Sequence, residues 1–217
     1  FEVSYKLYSD NTQIGLMERR FYKDQENNYV FHSKSKTTGL ISLFRKDNII
    51  EISNWNYLDS NIMPLHYSYK RTGGKKNRDV EINFNWHDQQ IINRVNDSVW
   101  RMKTQTGILD KLLYQLVIMI DLKSENIPER YIVADGGKIK EYFFKYIQDE
   151  IIETPIGNSN TMKFSLYKKN KQETFLWCAY ELDFLPVKVI TTEKDGRLSK
   201  AIIKSVKGFK YSQDKLD

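Results

Sequence analysis

The chain has 217 residues, no Pro/Gly/Ser-rich linker, no visible internal repeat and four dispersed prolines (Pro64, Pro128, Pro155, Pro186), so it reads as one domain spanning 1–217. Its 34 basic residues are offset by 28 acidic ones; the formal charge of +6 gives a modest field, and no interleaved basic and aromatic motif marks a nucleic-acid module. A single cysteine, Cys178, excludes an intramolecular disulfide and reads as a small buried hydrophobe, and no apolar run reaches the roughly 18 residues of a membrane-spanning helix.

Taken in chain order, the first element is Phe1, Val3, Tyr5 and Leu7 alternating with Glu2, Ser4 and Lys6, a period of two that sends one set to each face of a strand. Turn chemistry follows at Ser9-Asp10-Asn11 and Gln25-Glu26-Asn27-Asn28, and the stretch from Gly39 to Phe44 fits a helical turn or a strand equally. Leu65, Tyr67 and Tyr69 alternate with His66, Ser68 and Lys70 up to a turn at Thr72-Gly73-Gly74. Beyond it Val80, Ile82, Phe84 and Trp86 alternate with Glu81, Asn83, Asn85 and His87. From Thr106 to Ser124 the period changes. Ile108, Leu109, Leu112, Leu113, Leu116, Val117 and Ile120 recur at helical spacing, widened by Tyr114, Ile118 and Met119, which predicts a helix over about 106–124 capped by Thr104 or Thr106 and packed on or in the sheet. Further turns are expected at Gly136-Gly137, Gly157-Asn158-Ser159-Asn160 and Lys194-Asp195-Gly196. The expected fold is therefore mainly β: a curled antiparallel sheet, meander-like, forming an open or closed barrel with one main α-helix. Two basic clusters, Lys75-Lys76-Arg78 and Lys168-Lys169-Lys171, flank turns, where such charges keep β edges soluble and unpaired.

Val133 to Tyr142, Thr154-Pro155-Ile156-Gly157 with Thr161-Met162-Lys163, and Leu185-Pro186-Val187-Lys188 with Asp195-Gly196 resemble the bacterial domain-of-unknown-function family numbered 3108. Tyr5-Lys6-Leu7-Tyr8, Ile14-Gly15 and Lys34 to Leu40 resemble its N-terminal half. The resemblance implies an exported, periplasmic β-rich protein with no assigned activity, so it carries over no catalytic residue. The start at Phe-Glu-Val, inside a strand and without methionine, fits a chain whose signal peptide has been removed, or a trimmed one. More distantly, the C-terminal strand pattern is similar to lipoprotein-carrier-like open barrels, a likeness of topology alone.

Candidate sites are few. Trp55, Tyr57, Tyr67, Tyr69, Trp86 and Trp100 offer flat faces to a lipid tail or sugar ring if they cluster in a concavity, and ordinary core packing if they do not; Trp177 is of the same kind. His32, His66 and His87 would converge on a zinc ion only if the polar faces of their strands turned inward together; their spacing fits no compact metal motif, and no metal or other cofactor is expected. In His66-Tyr67-Ser68-Tyr69-Lys70-Arg71 alternation sends Tyr67, Tyr69 and Arg71 one way and the rest the other, so the run cannot act as one constellation. No phosphate loop, nucleophile elbow or zinc-protease motif is present. The sequence thus points to a non-catalytic, exported binding protein for an amphipathic or polymeric cell-envelope ligand, a lipid, lipoprotein or anionic polysaccharide. The alternative is a lyase-like enzyme using Tyr or His with Arg or Lys on an acidic glycan.

Overall fold

The structure, a computed structural model, describes residues 1–43, 46–74, 76–167 and 173–209. Lys75 of the first basic cluster, all three lysines of the second, and Phe44 at the end of the ambiguous Gly39 segment lie outside them. Within that segment, Gly39–Leu43 forms a 3-10 turn.

Eight strands run in order up and down: β1 (Glu2–Ser9), β2 (Thr12–Lys23), β3 (Tyr29–Thr37), β4 (Asn48–Leu58), β5 (Asn61–Thr72), β6 (Arg78–Asn85), β7 (Gln90–Val95) and β8 (Ser98–Lys103). A three-residue strand, β9 (Ile108–Asp110), leads into the helix α1 (Leu113–Lys123). The remaining strands are β10 (Arg130–Asp135), β11 (Lys138–Thr154), β12 (Gly157–Tyr167), β13 (Glu173–Ala179), β14 (Leu185–Thr192) and β15 (Leu198–Lys207). All fifteen strands among the described residues belong to one sheet, ordered from β8 back to β1 and then from β15 down to β9, so β1 sits in the middle, paired with β15. Every pairing is antiparallel except β9 on β10. The expected meander and curled sheet are present, and the sheet stays open: β8 and β9 are its two edges.

Paired residues on adjacent strands share a face, and register therefore traces rows across the inner, concave surface. One row joins Phe31, Ser53, Tyr67, Ile82, Asn93 and Trp100. The next joins Arg19, Ser33, Glu51, Tyr69, Val80 and Val95, and the third Met17, Ser35, Ile49, Arg71 and Arg78. The helix lies in this concavity. Leu113, Leu116, Val117, Ile118, Met119 and Leu122 are all buried, so it is covered on most of its circumference, and Tyr114 meets Tyr142 of β11 edge-on. Arg19 of β2 donates to Gln115 at 2.7 Å, and Tyr131 of β10 donates to Asp121 at 3.0 Å, so the helix contacts both halves of the sheet. At about 1.5 to 3 kcal/mol per buried large side chain, this packing is a major share of the core energy.

Four sequence expectations shift. The helix begins at Leu113, not near Thr106; Gly107 turns the chain at φ +75°, and Ile108-Leu109-Asp110 pairs as strand with β10. The cap is Asp110 in place of Thr104 or Thr106, its Oδ1 accepting the backbone N–H groups of Leu112 and Leu113, both at 2.8 Å. The hairpin expected at Gly157-Asn158-Ser159-Asn160 turns one step earlier: Thr154 pairs with Gly157 around Pro155-Ile156, and Asn158 to Asn160 continue as strand. The strand read as Val80 to His87 ends at Asn85, with Trp86 and His87 in the turn beyond.

A cationic cleft where the sheet fails to close

The two halves of the sheet are held near each other here by side chains instead of a ladder. Ser53 of β4 donates to the second oxygen of Asp110 at 2.5 Å, and the Trp100 indole of β8 donates to the Gly137 carbonyl in the β10–β11 turn at 2.9 Å. A Cβ on Gly137 would fall 1.6 Å from the Trp100 ring, and its φ of +79° is left-handed, so glycine is required there twice over. Between these two clasps a cleft of about 330 Å³ remains. Its floor is the inner face of β5 and β6, with Tyr67, Tyr69, Arg71 and Arg78, and its opposite wall is Lys111 ahead of the helix with Asp135 and Lys140 flanking the β10–β11 turn.

Charge dominates this cleft. Arg71 and Arg78 are directly opposed across β5 and β6, a like-charge register that ordinarily destabilises a sheet. Arg71 is neutralised by Asp47, whose Oδ1 it meets at 2.9 Å through Nη2 and 3.0 Å through Nε. Gly74 makes room for that pair, since a Cβ would sit 2.2 Å from the same carboxylate. On the far wall Asp135 takes Lys140 at 2.7 Å and the Tyr142 hydroxyl at 2.8 Å. Burial alone would raise its pKa, but the Lys140 hydrogen bond, the field of Lys111 and the Tyr142 hydroxyl together hold it below the usual carboxylate value. Arg78 and Lys111 are left over. Neither forms a salt bridge with a described residue; Lys111 stands 5.7 Å from the Tyr69 ring centre, and Arg78 approaches Gly136 at the turn.

Below the cleft, Tyr67 is buried and donates to Glu51 at 2.7 Å. Desolvation, reinforced by the Glu51 charge and hydrogen bond, pushes its hydroxyl pKa far above the ordinary value, so it holds its proton.

Of the aromatic candidates, the structure brings only Tyr67 and Tyr69 into this cleft. Trp55 is buried in a stack at the other end of its strand, 4.5 Å from Tyr29 and 5.1 Å from Tyr57, which is itself 43% exposed. Trp86 is half-buried and donates to the Pro64 carbonyl, and Trp100 is the clasp on Gly137. Trp177 lies on the outer face between Lys163 and Lys188, whose ammonium groups stand 4.8 and 4.6 Å from its ring. The histidines do not meet. His32 and His66 alternate with inward-facing neighbours and so point outward, and His87 is exposed in a turn. Among the described residues no group of three or more His, Cys, Asp or Glu is placed to hold a metal ion. Cys178 is fully buried, and desolvation raises its thiol pKa.

Sequence reasoning passed over Lys111, Lys140, Asp47 and Asp135, and read Arg78 only as a solubilising charge beside a turn, whereas it lies on an interior strand opposite Arg71. For Arg78 a signal existed: it continues the series Arg78, Val80, Ile82, Phe84 by the same period of two, which turns it inward with them. Lys111 carried none, because it sits in a segment whose apolar spacing reads as helix.

The sequence profile of a family described as protein of unknown function (DUF3108) matches residues 1–202. No curated protein matches the chain. Among solved structures, the beta-barrel-like protein of domain of unknown function DUF1849 from Brucella abortus shares the fold, with a TM-score of 0.58 at 6% identity over 93% of this chain and 94% of that one. A protein from Parabacteroides distasonis described as a "putative lipoprotein" matches with a TM-score of 0.34 at 10% identity, over 95% of this chain and 94% of that one.

Proposed function

The chain belongs to the DUF3108 family, whose membership assigns no activity, and from the cleft itself we propose that the protein is an exported, non-catalytic binding protein for an anionic ligand of the cell envelope. The observation that carries this reading is the pair Arg78 and Lys111, two cations on opposite walls of the open mouth of the sheet, neither in a salt bridge with a described residue. Clustered like charge is costly unless a counter-charge arrives, and with Arg71 already held by Asp47 that cost falls on Arg78 and Lys111, where a ligand can offset it. A large internal lipid cavity is not the support for this reading, because α1 occupies the concavity.

The lyase-like alternative would need a base beside these cations. Of the two tyrosines in the cleft, Tyr67 has its proton engaged by Glu51 and its pKa shifted upward, the opposite of what proton abstraction requires, and Tyr69 has no hydrogen bond to a described carboxylate or imidazole that would take its proton. The same groups therefore favour binding over catalysis.

The test is calorimetric titration with inorganic phosphate and with oligogalacturonate at several salt concentrations, on the wild type and on Arg78→Glu with Lys111→Glu. Losing hydrogen bonds to a charged group costs about 1.5–3 kcal/mol each, so affinity for the bound anion should fall roughly tenfold to a hundredfold per lost contact, and more with reversed charge. Binding that is insensitive to both substitutions would remove the cleft from the account, and depolymerised oligogalacturonate would replace binding with catalysis.

A further inference from the structure

Beside the cationic cleft, on the same inner surface, lies a second hollow of about 340 Å³ lined by Leu7, Gly15, Ser35, Thr37 and Ile49. The two are contiguous. Ile49 of the hollow is the cross-strand partner of Arg71 in the cleft, and Asp47, which lines the hollow, is the carboxylate that Arg71 grips. The Arg71–Asp47 pair is thus a neutralised divider: on one side stand Arg78 and Lys111, neither in a salt bridge with a described residue, and on the other the half-buried side chains of Leu7 and Ile49. The hollow is kept open in part by backbone. Gly15 lies so close to β3 that a Cβ would stand 2.5 Å from the Lys36 carbonyl oxygen, so no side chain from β2 fills the space at that position.

We propose that the anion of the preceding section is the head group of a single-chain amphiphile, a phosphate monoester whose alkyl or acyl chain lies in the Leu7–Ile49 hollow. The inference rests on the reading of the cleft as an anion site. Charge complementarity selects the head: a phosphate monoester carries about −1.5 to −2 at neutral pH, which matches the two unpaired cations Arg78 and Lys111, and its three terminal oxygens suit the fork of an arginine together with an ammonium. Geometry selects the tail, because a chain leaving that head toward β4 passes the neutral divider and meets apolar surface at Ile49 and Leu7, whereas the wall facing β5 and β6 presents the charged Asp135 and Lys140. A polyanion tracking along the inner surface would instead need unpaired cations on both sides of the divider; of the two that line the hollow, Arg197 is held by Asp195 at 2.6 Å, and Lys36 alternates with the inward-facing Ser35 and Thr37, which sends its ammonium to the outer face.

The experiment compares ethyl, hexyl and octyl phosphate by calorimetry, each below its micellar concentration, on the wild type, Lys111→Ala, Ile49→Asp and Leu7→Asp, with melting curves to show that each variant is folded. Affinity should rise about two- to fourfold per added methylene until the hollow is full. In either aspartate variant the octyl-to-ethyl affinity ratio should fall toward one; in Lys111→Ala both affinities should fall with the ratio kept. Two substitutions in the hollow keep the test usable if one of them does not fold. Equal affinity for all three phosphates in the wild type would overturn the amphiphile and leave the anion site standing. Chain-length dependence that survives both aspartate variants would place the tail elsewhere and equally overturn it. Ethyl phosphate binding that is absent, or unaffected by Lys111→Ala, would overturn the anion site itself.

Discussion

Replacing Asp110 by asparagine removes a charge from the most buried acidic position of the inner surface while keeping the shape of the side chain. Asp110 is fully buried, and desolvation pushes its pKa from 3.8 up to about 6, against the opposing pull of the Ser53 hydroxyl and the backbone N–H groups of Leu113 and Leu112. Between those two pH values the folded protein holds a proton that the unfolded chain has released. Stability contributed by this group is therefore greatest below about pH 4 and is lost as pH rises through 6, by roughly 3 kcal/mol in all. Other groups tilt the curve the opposite way, Asp135 among them, so the difference between variant and wild type isolates Asp110. Asparagine should cost about 1 kcal/mol at pH 4, where one weaker hydrogen bond is the main change, and should be the more stable form by about 2 kcal/mol at pH 8. Urea unfolding followed by tryptophan fluorescence across that range measures it. A difference that stays flat with pH, or that moves in asparagine's disfavour as pH rises, would refute the argument from burial.

Two other substitutions test the architecture. Leu112→Ala, at a fully buried position between the Asp110 cap and the first helical residue, should cost about 2–5 kcal/mol and lower hydrogen-exchange protection in strands of both halves; an unchanged melting temperature would show that the helix is a lid and not core. Gly137→Ala meets both a left-handed φ and the Trp100 ring, so it should destabilise by roughly 2 kcal/mol or more and weaken anion binding by unfastening β8 from the β10–β11 turn, whereas Gly107→Ala, strained in φ but with open space around it, should cost less and leave binding alone.

How far the sequence speaks depends on whether a residue's neighbours are local. Alternation at Val3-Tyr5-Leu7, Leu65-Tyr67-Tyr69 and Val80-Ile82-Phe84 identified strands and faces, because period two is a property of each strand alone. It failed at Ile108-Leu109, which is buried on both faces of a three-residue parallel strand; without a solvent face there is no alternation, and the pair merges with the helical period that follows. The same limit hid the cleft. Tyr67, Tyr69 and Arg71 were legible as sharing a face, but Lys111, Asp135 and Lys140 reach them only because the curled sheet brings β9 and the β10–β11 turn over β5, a contact between residues far apart in the chain. The aromatic candidates illustrate the converse: Trp55 and Trp100 share the inward face with Tyr67, yet one ends in a stack and the other on a turn, a distinction set by position along the strand and not by period.

The most direct test of the anion site is to map it. Backbone amide shifts recorded during titration of the folded protein with ethyl phosphate should move for Tyr69, Arg78, Lys111 and Gly136, saturate together, and vanish in the Arg78→Glu, Lys111→Glu variant. Shifts confined to other parts of the surface, or saturating shifts in the cleft that persist in that variant, would contradict the claim that Arg78 and Lys111 await an anionic ligand.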